Sequence, residues 1–473
     1  MSEAVLLSFE KSMPGRHSAV LAPLDVPKTV LPAQFVRKTP PMLPELCEVD
    51  VCRHYTQLQN RTYGVNDGFY PLGSCTMKYN PALNEAVAAL SGFTDTHPLA
   101  PESATEGCRS VLRELEHDLC EVTGMDAFTL QPAAGAHGEF AGMLCIKAYH
   151  EARGDTKRTK ILVPDSAHGT NPASAAMAGY EVVSVQSRED GCVDLEHLAS
   201  LLSDEIAGIM LTNPNTLGLF EKDILKISDM IHGAGGLLYY DGANLNAILG
   251  LARPGDMGFD VTHLNLHKTF STPHGGGGPG SGPVGVKAAL KPFLPTTASA
   301  GQHGKLQMKG FYGNFSVMVK ALCYLKVLGR EDLRGVCEHA VLNANYLLHR
   351  LKEGYTPAKD LPCMHEFVLC LQDLKERLNV SALDVAKALI DHGIHPPTMY
   401  FPLIVHEALM FEPTETESMA QLDRAADVML TILREAQADP QSMHHTPHNA
   451  VIGRPDEVTA ARNPILRYHP ERL

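Results

Sequence analysis

Apolar positions fall into two periods along this chain. Over residues 105–123, Val111, Leu112, Leu115, Leu119 and Val122 share one helical face, and Gly124 follows where a left-handed C-cap belongs. Short apolar runs then alternate with helical patterns. AFTLQ (127–131), KILVP (160–164), EVVSV (181–185), IAGIMLT (206–212), GLLYYD (236–241), VTHLNL (261–266) and PVGVK (283–287) read as strands. DLEHLASLLS (194–203) and KDILKISDMIHG (222–233) read as helices. Apolar strands alternating with helices predict a mostly parallel α/β sheet covered on both faces, with its ligand site beyond the carboxyl ends of the strands.

The pattern changes at both ends. Residues 1–100 are short on periodicity, and prolines 23, 27, 32, 40, 41 and 44 keep part of this stretch extended; it reads equally as an arm that packs on something larger, such as a second subunit, or as a loosely held tail. After about 330, HEFVLCLQ (365–372) reads as a strand. A helix follows in which Leu422, Ala425, Met429, Ile432 and Ala436 recur, with Thr414 and Glu417 at capping-box spacing before it. The expected organisation is an arm (1–100), a large domain (101–330) and a small α+β domain (331–473).

Composition narrows the function classes. The chain has 473 residues, 44% hydrophobic and 20% charged, which fits a globular protein rather than a disordered one. With 40 Lys plus Arg against 54 Asp plus Glu, the net charge of −14 argues against nucleic acid as a partner. No run approaches the roughly 18 apolar residues of a membrane span. The first residues lack a basic-then-apolar leader, so the cytoplasm is the expected compartment. Eleven cysteines without a CxxC pair read as reduced thiols.

The chemistry concentrates in DGANLNAILG and HLNLHKTFSTPHGGGGPG. Asp241 ends one strand and Lys268 follows another, so both are expected to project into one crevice. That pair suits pyridoxal 5'-phosphate: the amine forms a Schiff base with the aldehyde, and the carboxylate keeps the pyridinium protonated. Either residue alone has a plainer reading, as a surface lysine or a turn-capping aspartate. GGGGPG (275–280) satisfies G-x-G-x-x-G only because it is a glycine run; no helix follows, so it reads as a close-approach loop beside the lysine.

QPAAGAHGEFAG (131–142) runs from a strand into a helix, and Gly135 and Ala136 become candidates for a phosphate cradle at the helix N-terminus, with His137 nearby. His168 is a candidate to lie flat on the cofactor ring, Asn213 to donate its amide to the ring hydroxyl, and His267 to contact the phosphate. Asn213 equally fits an Asn-Pro turn. Cys75 reads as an inert thiol, and His444, His445 and His448 lack the cysteine or carboxylate partners of a metal site. No metal is expected.

PLGSCTMKYNP, DSAHGTNPASAAMAGYEVV, NPNTLGLFE, DGANLNAILG, RPGDMGFDVTHLNLHKTFSTPHGGGGPG, AVLNANYL, FEPTETES and RPDEVTAAR together resemble the glycine decarboxylase (P-protein) family of the glycine cleavage system. The length is similar to that of the second subunit of the two-subunit bacterial form. The resemblance implies an aspartate-aminotransferase-like (fold type I) domain, with the cofactor on Lys268, Asp241 under the ring nitrogen and His168 over the ring. It also implies glycine as substrate, a lipoylated H-protein that receives the aminomethyl group, and P-protein subunit 1 as partner in an α2β2 heterotetramer. The family's phosphate-side loop is roughly N-S-G-A-Q-G, whereas Ala133–Gly138 here reads A-A-G-A-H-G, so a hydroxyl is lost and an imidazole gained. Arg454 and Arg462 are candidate ligands for the glycine carboxylate. The alternatives are an aminotransferase or desulfurase of the same fold, or a non-catalytic scaffold subunit.

Overall fold

The computed structural model describes residues 5–18, 22–97, 100–275, 278, 280–296, 307–310 and 313–468. Positions 276, 277 and 279 of the glycine run lie outside them. The chain divides into two compact units, Met1–Asp67 with His448–Leu473, and Gly68–Pro447. In the first, the proline-rich stretch 22–47 has no regular structure beyond the single 3-10 turn Ala33–Phe35, and a helix that the sequence did not advertise spans Glu48–Gln59. Arg454 and Arg462 belong to this unit.

The second unit holds two sheets. The larger has seven strands: β1 (Ala127–Thr129), β2 (Lys160–Pro164), β3 (Glu181–Val185), β4 (Ile206–Leu211), β5 (Leu237–Gly242), β6 (Val261–Leu264) and β7 (Val284–Val286). Their order is β1-β7-β6-β5-β4-β2-β3. Pairs from β3 to β6 are parallel, and β7 runs against both its neighbours. The central strands β4, β5 and β6 are buried on both faces, whereas the edge strand β3 exposes Glu181 and Ser184. Leu162, Ile209, Leu211, Leu238, Tyr240 and Leu264 point into one core. Their alternates Ile161, Val163, Met210, Leu237, Tyr239 and Val261 point into the other.

Helix Glu106–Thr123 presents Leu112, Leu115 and Leu119 to the first core and ends at Gly124, whose φ of 71° is the left-handed cap expected. The long helix Phe315–Leu351 is interrupted at Gly329, φ 60°, beside the point where the sequence character shifts. Among the described residues no helix is long and apolar enough to cross a membrane.

The smaller sheet is antiparallel: β8 (Thr356–Pro357), β9 (Phe367–Cys370), β10 (Thr398–Met399) and β11 (Ala408–Phe411), in the order β10-β11-β9-β8. It shares a separate core with helices Ala382–Asp391 and Met419–Ala438. The capping box expected at Thr414 is not formed. Ser418 is the N-cap and accepts from Gln421 N–H, because Asn343 binds the carbonyls of Thr414 and Glu417 and Glu415 pairs with buried Lys78. Those tertiary contacts hold 414–417 as a loop, and the helix starts after it.

Segment 71–76 bridges the two sheets. Gly73 N–H donates to Met410 O, and Glu412 N–H to Pro71 O, which lays the segment along the β11 edge. Substituting the fully buried Leu119 by Ala is expected to cost about 2–5 kcal/mol, read from denaturant unfolding of the purified chain.

Candidate active site

β5 and β6 are parallel neighbours, and their register sets Asp241 beside His263. The chain leaves β6 at Leu264 and reaches Lys268 four residues on, past the carboxyl end of the sheet. There a cavity of about 220 Å³ opens. Gly135, Ala136, His168, Asp241, His267 and Lys268 all line it, so six of the seven cofactor-binding candidates come together.

Asn213 does not. Its side-chain carbonyl accepts from Glu221 N–H at 2.9 Å, and its amide faces Glu221 O at 3.5 Å. The Asn-Pro turn reading describes it. Its neighbour Thr212 lines the cavity instead, with a buried hydroxyl that has no partner.

Asp241 is 3% exposed, and burial alone would favour its neutral form. The neighbouring His263, the Asn171 amide at 2.9 Å, Ala243 N–H at 3.0 Å and Lys268 outweigh that cost and hold the carboxyl below its usual range. Burial drives His263 down to about 4, so at neutral pH it is uncharged and acts through its dipole. The Nε2–H tautomer suits both its neighbours: Tyr239 O–H donates to Nδ1 at 2.6 Å, and Nε2 faces Asp241 Oδ1 at 3.6 Å. The hydrogen bonds and Lys268 therefore do most to keep Asp241 ionised.

Asn171 also donates to Glu139 at 3.1 Å, and Thr170 and Ser174 donate to the same carboxylate. Burial, then the nearby Asp241, pushes Glu139 up to about 7. One amide thus joins two buried carboxyls whose surroundings pull them apart.

Helix Gly135–Ala152 begins at the cavity with Ala134 as an N-cap that offers no side-chain acceptor. The first helical bond is Gly138 N–H to Ala134 O, so the N–H groups of Gly135, Ala136 and His137 precede the helical ladder. His137 Nδ1 accepts from Ala133 N–H, which ties the added imidazole back into its own turn. A Cβ on Gly135 would sit 2.6 Å from Asn265 Oδ1, itself a buried acceptor without a partner. His267 accepts from Ser281 N–H through Nδ1, which leaves Nε2 for the cavity. Burial and then Lys268 bring His267 down to about 3. His168 is also held neutral by burial, bonds Thr170 through Nδ1, and meets Phe401 edge-on at 5.3 Å.

Sequence reasoning missed the far wall. Lys268 Nζ donates to Ser74 O at 2.7 Å, and Ser74 N–H donates to Glu366 at 2.9 Å. Glu366 and His365 line the cavity and come from the smaller sheet. The signal lay in carboxylates flanking apolar strands, HEFVLC and LMFE, but only the fold puts the two together. Cys75 also lines the cavity, with its thiol pushed up by burial.

The sheet order, the one reversed strand and a lysine set near a buried aspartate beyond the carboxyl edge define an aspartate-aminotransferase-like (fold type I) enzyme. The crystal structure of glycine decarboxylase (P-protein) of the glycine cleavage system, in inhibitor-bound form, shares this fold with a TM-score of 0.71 at 24% identity, over 85% of this chain and 93% of that one. A family model described as glycine dehydrogenase, C-terminal domain, matches residues 336–455. The chain is 57% identical to the probable glycine dehydrogenase (decarboxylating) subunit 2 of Treponema denticola, over 99% of this chain and 98% of that protein. It is 56% identical to the protein of the same description from Caldanaerobacter subterraneus, over 98% of each. The chain belongs to the glycine dehydrogenase (decarboxylating) subunit 2 family. Relatedness over nearly the whole length sets aside the aminotransferase and desulfurase alternatives.

The buried neutral histidines make stability fall in acid. An unfolded His binds its proton near 6.5, whereas His263 does so only near 4 and His267 and His365 near 3. Between those values the unfolded state holds more protons on these rings, so their contribution to stability is full above about 6.5 and is lost as pH falls toward 4, while the raised carboxyls Glu139 and Glu412 act in the opposite sense. The histidine contribution is therefore read as a difference: from pH 7 to 5 the thermal midpoint of the cofactor-free wild type is expected to fall relative to that of His263→Asn.

Proposed function

We propose that this chain is the pyridoxal 5'-phosphate-bearing subunit that decarboxylates glycine and passes the aminomethyl group to the lipoyl arm of H-protein, working with P-protein subunit 1 in an α2β2 assembly. The observation that carries the reading is the meeting of Lys268 and ionised Asp241 in one cavity beside an uncapped helix N-terminus. The donor set fits the cofactor: an amine for the aldehyde, a carboxylate for the ring nitrogen, and free N–H groups with an imidazole for the phosphate. The unpartnered Asn265 and Thr212 oxygens supply further polar contacts.

When bound, pyridoxal phosphate supplies an electron sink for the pair left behind as the Cα–carboxylate bond of glycine breaks. The protein's part is to hold and tune it. Lys268 would tether the aldehyde, and Ser74 O orients that amine. Asp241, fixed by Asn171 and Ala243, holds a proton on the ring nitrogen and so preserves the sink. Neutral His168 offers a flat, uncharged face for the ring. Gly135, Ala136 and His267 would hold the phosphate, and Thr212, rather than Asn213, would offer a hydroxyl to the ring. The apolar cores on both sides of the sheet keep water from Asp241, which strengthens its charge interaction.

Borohydride reduction of the cofactor-loaded assembly is expected to fix the cofactor on Lys268, located by peptide mass. Lys268→Arg is expected to lose that adduct and to cut exchange of labelled bicarbonate into glycine at least about 10²-fold. An adduct on another amine refutes the assignment. Gly135→Val, whose side chain would collide with Asn265, is expected to weaken cofactor binding at least tenfold, read by titration of the visible absorbance, while Lys268 chemistry persists at saturation.

A further inference from the structure

The reaction proposed above consumes a proton that none of the groups assigned so far supplies. Glycine enters as the zwitterion. Its Cα–carboxylate bond breaks and carbon dioxide leaves. The electron pair forms a C–S bond to one lipoyl sulfur, the S–S bond breaks, and the second sulfur departs with the pair. With the amine as ammonium and the departing sulfur as thiol, glycine plus disulfide plus one proton gives carbon dioxide plus the aminomethyl thiol.

The register of the smaller sheet places a source at the cavity wall. Phe411 of β11 pairs with Phe367 of β9 in an antiparallel ladder. Glu412 directly follows β11 and Glu366 directly precedes β9 at that end of the ladder, and their carboxylate oxygens come within 4.8 Å of each other. Like charges this close repel, and here both carboxyls are buried. Glu412 is saturated with donors: Thr76 N–H at 3.1 Å, Thr76 O–H at 2.7 Å and the Asn244 amide at 2.7 Å. Among the described residues Glu366 receives only Ser74 N–H, on Oε2. Its Oε1 lies 3.8 Å from His365 Nε2, and neither ring nitrogen of that buried histidine has a hydrogen-bond partner among the described residues. The polar arrangement therefore stabilises charge on Glu412 and leaves room for a proton on Glu366. Of the other cavity carboxyls, Asp241 is held ionised, and Glu139, raised to about 7, is the competing donor, tied by three hydrogen bonds to the helix after β2.

We infer that the Glu366–Glu412 pair keeps one proton and that Glu366 delivers it to the departing lipoyl sulfur. This rests on the proposed reaction and adds its missing acid. Burial, then the opposing Glu412, pushes Glu366 well above the carboxylate range, and burial raises Glu412 only to about 6. The groups facing the pair are Lys268, which lowers both, the uncharged His365, and Cys75, whose thiol is pushed up. Two strained residues, Ser74 (φ 62°) and Thr76 (φ 49°), are pinned through their N–H groups by the two glutamates, so the pair also positions the loop that meets Lys268.

The test separates the two halves of the reaction in the assembled, cofactor-loaded enzyme with lipoylated H-protein. Glu366→Gln keeps the shape but carries no acid. It is expected to slow aminomethyl transfer about 10²-fold more than bicarbonate exchange, which moves no net proton, with Glu366→Asp restoring part of the transfer. The wild-type transfer rate is expected to fall at high pH as the acid ionises, and Glu366→Gln to lose that limb. Equal loss of exchange and transfer in Glu366→Gln overturns the inference in favour of a purely positioning role, and unchanged transfer moves the acid elsewhere. Infrared spectroscopy of the wild type checks the proton without any variant. A protonated-carboxyl carbonyl band is expected above pH 7 that shifts in Glu366→Asp, and its absence refutes the shared proton. His365, Glu366 and Glu412 also offer metal-ligand atoms within 4.8 Å of one another, so wild-type transfer abolished by EDTA and restored by a divalent cation would refute the proton role too. Failure of wild-type exchange itself would instead sink the reaction on which the inference depends.

Discussion

A charged carboxylate far from water is costly unless its surroundings compensate it, and Asp241 sets that condition for the whole site. It stands at the end of a central strand with apolar cores on either side of the sheet. Its charge is sustained by Asn171 from the helix after β2, by Ala243 N–H from its own turn, by the His263 dipole from β6 and by Lys268 beyond β6. Four stretches of chain must therefore arrive together for one group to stay ionised. The parallel sheet is what delivers them, because it points the carboxyl ends of its strands at one line.

The same field explains why the histidines around the lysine are neutral. Burial removes their protons first, and Lys268 opposes their charge further. A set of uncharged imidazoles around one amine and one carboxylate gives flat faces and hydrogen-bonding nitrogens without competing for Asp241. The cost is acid sensitivity, since each of these rings gains a proton when the chain unfolds.

The opposite wall is made by a different sheet and a strained loop. The adjacent ends of β9 and β11 carry two glutamates just beyond the strands, and segment 74–76 links them to Lys268. Such a wall couples the smaller sheet to the chemistry of the larger one through hydrogen bonds to one loop.

Much of this was legible in the residues. The strand runs, the helix closed by Gly124 and the placement of Lys268 and Asp241 follow from periods of two and 3.6 and from strand-end position, which are local properties of the chain. Gly135 and Ala136 were visible because a strand-to-helix turn of small residues exposes N–H groups wherever it occurs. The local signals misled where distant contacts outbid them. Thr414 and Glu417 have capping-box spacing, but Lys78 and Asn343 hold that stretch as a loop. Asn213 sits at a strand end like the true lining residues, but Glu221 takes its amide. The pairing of Glu366 with Glu412 had no sequence signature, since it depends on the register of two strands more than forty residues apart. Periodicity and turn chemistry are written in neighbours along the chain; which carboxylates share a proton is decided only when folding brings them to one buried site.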